Sequence, residues 1–154
     1  MKKFYAVATM AFVLCLTGLV LSGTAFADRC VDNGDGTVTD NGNGLMWQKA
    51  TAGPMNWDAA MSYASGLSLA GHSDWWLPGR DRLEELYYSP CKGMIELSFP
   101  AYWSSTTNVN NTNNAWHVNF NNGNVNNNNK SNSYYVRAVR NALSKPRSGV
   151  IRKF

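Results

Sequence analysis

The chain has 154 residues, 44% of them hydrophobic, 12% aromatic and 16% charged. That length holds one domain, at roughly 100–200 residues each, and so aromatic a chain is not a disordered, solvating one. The formal charge of +4 points to a polyanion only until its distribution is read.

Lys2 and Lys3 precede an apolar stretch from Ala6 to Leu21, and Ala25-Phe26-Ala27 forms an A-x-A cleavage signal before Asp28. Residues 1–27 are therefore expected to be a secretory signal peptide. The remainder is expected to be exported, to the periplasm, the cell surface or the medium. No later segment reaches the ~18 apolar residues that span a bilayer, so no transmembrane segment is expected after signal removal.

Residues 28–136 carry all ten acids against Arg29, Lys49, Arg80, Arg82, Lys92 and Lys130. Residues 137–154 carry Arg137, Arg140, Lys145, Arg147, Arg152 and Lys153 and no acid. A mildly acidic body with a basic end is not a nucleic-acid-binding face, and no nucleic-acid partner is expected. Cys15 leaves with the signal, so Cys30 and Cys91 are expected to pair in an oxidising compartment. Closing about 60 residues would contribute on the order of 3–4 kcal/mol.

Between Cys30 and Trp47, Thr37–Thr39 and Leu45–Trp47 are β-type runs. They are punctuated by Asn33-Gly34, Asp35-Gly36, Asn41-Gly42 and Asn43-Gly44, which predicts a meander. Asp32, Asp35 and Asp40 offer calcium-ligand oxygens, but their spacing departs from the EF-hand pattern and favours turns. Asn56 is a good N-cap for a helix with Trp57, Ala60, Met61, Ala64 and Leu67 on one face, ending near Gly66. A second helix runs from about Arg80 to Tyr88, burying Leu83, Leu86 and Tyr87 and stopped by Pro90.

Strands return at Tyr102–Thr106, Ala115–Phe120 and Tyr134–Arg140. In the middle one, Trp116, Val118 and Phe120 share a buried face, and His117, Asn119 and Asn121 face solvent; Asn122-Gly123 makes the hairpin turn. The order β, two helices, β predicts an α+β fold, two helices packed on antiparallel strands, over residues 28–140. A basic, disordered tail is expected over 141–154. No Ser/His/Asp set, metal cluster or cofactor motif stands out, and no cofactor is expected.

Residues 108–132 hold 14 asparagines in 25 positions, with Lys130 the only charge. Trp116, Val118, Phe120 and Val125 are interleaved as in a packed hairpin, which argues against a low-complexity linker. The asparagines then fill its loop and solvent-facing slots. A ligand-binding surface is expected from Asn108, Asn110, Asn111, Thr112, Asn113, Asn114, His117, Asn119, Asn121, Asn122 and Asn124. It continues through Asn126, Asn127, Asn128, Asn129, Ser131, Asn132, Ser133 and Tyr134, with Tyr134 and His117 as the strongest contacts. The variable region as a whole spans about 102–140.

Several motifs occur in a familiar order: Asp32-Asn-Gly-Asp-Gly-Thr-Val-Thr-Asp-Asn41, Gly44-Leu-Met-Trp47, Trp57-Asp-Ala-Ala60, Asp74-Trp75, Leu77-Pro78, Tyr102-Trp-Ser-Ser-Thr106, Val136-Arg137 and Val139-Arg140. Together they resemble the Lcl C-terminal domain family, named after a bacterial collagen-like adhesin, over about residues 30–140. The resemblance implies a C-type-lectin-like fold. Trp76 departs from it, standing where the family usually has Arg. The stretch Ala115–Lys130 also resembles the variable region of proteins diversified by retroelements, in which template adenines are randomised. Asn codons are adenine-rich and reach most residue types by such changes.

These resemblances imply an exported receptor- or adhesin-like protein whose Asn-rich hairpin binds a variable protein or glycan on a cell, phage or host surface. An alternative is an adhesin binding sulfated or anionic glycans through Arg137, Arg140 and the basic tail. A third reading, a formylglycine-generating type of enzyme, would need Cys30 and Cys91 as reactive thiols; no enzyme is expected.

Overall fold

The computed structural model describes residues 29–97 and 99–142. The expected signal peptide and residues 143–154 of the expected tail lie outside them.

The turn dipeptides produce the meander: β1 (Cys30–Asp32), β2 (Thr37–Asp40) and β3 (Leu45–Gln48) pair antiparallel, with Val38 opposite Trp47. The aspartates weighed as calcium ligands serve its turns. Asp32 accepts from the Gly34 N–H, and Asp35 accepts from the N–H and hydroxyl of Thr37. Asp40, fully buried, accepts from the N–H groups of Gly42 and Asn43 and from the Ser89 hydroxyl.

Asn56 caps α1 (Trp57–Gly66), accepting from the Ala59 N–H at 2.9 Å. The buried stripe is narrower than the periodicity predicts. Ala60 and Ala64 are fully buried, whereas Met61 is 37% exposed, because the helix approaches its sheet closely on small side chains. Helix α2 (Arg80–Tyr88) buries Leu83 and Leu86, each worth about 1.5–3 kcal/mol, while Tyr87 is half-buried. A 3₁₀ turn over Pro90–Met94 follows and carries Cys91, whose disulfide to Cys30 ties it to β1.

A second, five-stranded sheet consists of β4 (Ala52–Met55), β5 (Ala101–Thr107), β6 (Asn114–Asn119), β7 (Val125–Asn129) and β8 (Tyr134–Val136). Its order is β4-β8-β5-β6-β7. The expectation of antiparallel strands holds except between β5 and β8, which run parallel with Tyr102 beside Tyr135. The closing run Tyr134–Arg140 is not one strand. It breaks at Arg137-Ala138, and β9 (Val139–Asn141) joins the first sheet beside β3. The ordered body thus extends past the expected boundary at 140, with the Ala142 N–H donating to the Gly44 carbonyl.

Alternation along β5 sends Tyr102 and Trp103 to opposite faces of the second sheet. On one face Tyr102, Val118 and Phe120 pack with Leu83 and Leu86 of α2 and with Val38, Leu45, Trp47 and Val139 of the first sheet. On the other, Trp103, Ala115 and Val136 pack with Ala60 and Ala64 of α1 and with Trp75 and Leu77. The two helices therefore clasp the second sheet, giving the α+β arrangement.

Arg137 lies at the crossing between sheets, fully buried. Its guanidinium donates to the carbonyls of Gln48 and Lys49 at 2.6 Å, to the Thr51 hydroxyl at 2.8 Å and to the Glu96 carbonyl. Arg140, 1% exposed, forms a two-point ion pair with Asp74 at 2.7 and 3.2 Å. The expectation that these arginines meet sulfates is corrected: strand alternation and the sheet crossing turn both inward.

Candidate binding surface

Strand β7 is one edge of the second sheet, β4 the other, and the hairpin β6–β7 carries most of the asparagines. Its register sets Trp116 opposite Asn127, His117 opposite Asn126 and Val118 opposite Val125. Directly opposed residues share a face. Val118 and Val125 thus point toward α2, and His117 and Asn126 toward the α1 side.

Eight of the 14 asparagines brace the structure. Asn108, Asn111, Asn119, Asn122 and Asn129 each accept, through Oδ1, the N–H two residues on, at 2.9–3.3 Å. These are Asx turns, for which the short amide side chain is suited. Asn127 Oδ1 accepts from the side-chain amides of Asn108 (3.0 Å) and Asn114 (2.9 Å), binding the β5–β6 loop to β7. Asn128 donates to the Tyr134 hydroxyl at 2.8 Å and accepts from the Asn129 N–H.

The other six, Asn110, Asn113, Asn121, Asn124, Asn126 and Asn132, are exposed, and their side chains have no hydrogen bond among the described residues. They run along the β7 rim. Asn110, Asn113 and Asn132 stand at one end, Asn121 and Asn124 at the hairpin turn, and Asn126 between. Thr112, Ser131 and Ser133 are exposed beside the first group. Val109, 87% exposed at the same end, was not among the expected contacts; an aliphatic residue in a loop otherwise of amides and a hydroxyl is the signal that marks it.

His117 is a correction. It was expected in solvent, but it is 8% exposed. Its ring stacks on Tyr134 (4.4 Å between centroids, 27° between planes) and meets Trp103 edge-on at 6.0 Å. Alternation chose its face correctly. What covers it is non-local: β7 and β8 flank the β5–β6 pair, so residues 130–133 must cross back, and Tyr134 lands on the imidazole. Burial pushes the His117 pKa down. Tyr134 is itself half-buried and remains accessible at the rim of the patch.

Two cation–π contacts hold the ends of the hairpin, and neither was anticipated. The Lys130 ammonium lies 4.1 Å from the Trp57 ring, and the Arg80 guanidinium lies 5.3 Å from Trp116. The single charge of the Asn-rich stretch is therefore held against α1. Trp116, expected as full core, is half-buried beneath Arg80.

Residues 36–140 match the Lcl C-terminal domain family, and the chain belongs to it. No curated protein matches the chain.

Proposed function

We propose that the protein is an exported ligand-binding module whose contact surface is the β7 rim, diversified at its asparagine codons by a retroelement. One observation carries this reading: within a single run of asparagines, eight side chains brace the hairpin and six project into solvent unbonded. A variable site needs that division, since the scaffold must persist while contacts change. Neutral amides, small hydroxyls and a flanking tyrosine give adaptable hydrogen bonding with an aromatic anchor, as in antibody paratopes. The ligand is a variable protein or glycan on a cell, phage or host surface.

Export rests on the signal-like residues 1–27 and agrees with the Cys30–Cys91 disulfide. That pairing also takes both thiols that a formylglycine-generating type of enzyme would need, which favours binding over catalysis.

The test is deep sequencing of the gene in lineages grown from single cells. Substitutions confined to adenines in codons 108–134, densest at the six free asparagines, are expected. An even spread of substitutions across the gene, or none, sinks the diversified reading.

A further inference from the structure

His117 occupies a seat that has no place for a second ring proton. Its Nδ1 is sealed from solvent and has no hydrogen-bond partner among the described residues. One face of the ring is closed by Tyr134 and one edge by Trp103, and these two rings meet edge-on at 4.7 Å. We propose that His117 is an acid-sensitive latch: on protonation the imidazole leaves its seat between Tyr134 and Trp103, and the β6–β7 hairpin loosens from β8.

Among the described residues, the surroundings offer an imidazolium no counter-charge. Strand β5 presents Trp103, β7 presents Asn126 and β8 presents Tyr134. Among these side chains there is no carboxylate. Helix α1, covering the same face, carries Asp58, exposed in its first turn. Lys130, the nearest cation in sequence, is held on Trp57. Residues 97–136 contain no Asp or Glu.

Burial holds the folded imidazole below the ordinary value of 6.5. The unfolded chain therefore takes up a proton at a higher pH than the native one. The latch contributes fully above about pH 6.5 and weakens as pH falls toward the folded value. Because the Tyr134 hydroxyl accepts from Asn128, displacing the stack also releases one of the bracing asparagines of β7. The latch stands on this geometry whether or not the rim binds a ligand.

Amide hydrogen exchange on the full chain tests it, with protection in β6 and β7 measured relative to β2 and β3. In the wild type that ratio is expected to fall by more than about twofold between roughly pH 6.5 and 4.5. In His117→Phe and His117→Gln it is expected to change less than about twofold. A flat ratio in the wild type, or the same fall in a folded variant, overturns the latch. Should neither variant fold, the wild-type imidazole resonance decides. Titration of His117 below a free histidine is expected, and titration at or above it overturns the proposal.

Discussion

Gly123 rests on the ring of Tyr87: a Cβ added there would lie 2.6 Å from Tyr87 Cε1, and the glycine has φ +76°. The hairpin turn is thus seated on α2, where Tyr87 is hemmed by Phe120 at 5.9 Å and by the Lys92 ammonium at 3.7 Å. Gly123→Ala should lose about 2–3 kcal/mol, with roughly 1–2 from the left-handed backbone and the rest from displacing the ring. Chemical denaturation measures it. In a Tyr87→Ala background the loss should shrink to the backbone part alone.

Among the asparagines, bracing and free positions should separate sharply. Asn127→Ala leaves the Asn108 and Asn114 amides without their shared acceptor and should cost about 1–2 kcal/mol. Asn110→Ser and Asn126→Ser should each change stability by less than about 0.5 kcal/mol, as at ordinary exposed sites. Thermal melting of the three variants is enough to decide; equal losses would remove the distinction on which the proposed surface rests.

Phe120, 4% exposed against Tyr102, should cost about 3–5 kcal/mol when truncated to alanine. Trp116→Ala should cost less, because its ring is half open and is held by Arg80. Arg80→Ala should weaken the Trp116 seat by about 0.5–1 kcal/mol, read as coupling in a double-mutant cycle.

Arg137→Lys should be among the most damaging substitutions, losing about 3 kcal/mol or more. One ammonium cannot reach the several carbonyls and the hydroxyl that a planar guanidinium serves. Arg140→Gln should leave heparin retention unchanged, since its guanidinium is already held by Asp74. Earlier elution of this variant would return Arg140 to the surface.

Reduction of Cys30–Cys91, 61 residues apart, should lower stability by about 2–4 kcal/mol. A melting curve with and without reductant reports it.

What could be read without coordinates was local. Asn56 announced α1, the Asn-Gly and Asp-Gly pairs announced the meander, and Trp116, Val118 and Phe120 announced β6. Strand β4 was not legible, because Gly53-Pro54 reads as a turn; Ala52 and Met55 become a strand only by pairing with Val136 and Tyr134. Likewise Tyr134–Arg140 is a uniform β-type run, and nothing in its alternation says that its halves serve different sheets. The asparagines were visible as a group, but their roles were not. Which amide braces a turn and which stands free depends on φ, ψ and on partners up to 19 residues away. His117 failed for the same reason, its cover arriving from β8.

The seam at Arg137 and the seat of His117 differ in kind. A guanidinium keeps its proton at any pH a cell meets, so the stitch between the two sheets does not answer to acid. The imidazole does. Acidification is therefore expected to act first where the hairpin meets Tyr134, while the hydrogen bonds of the Arg137 seam persist.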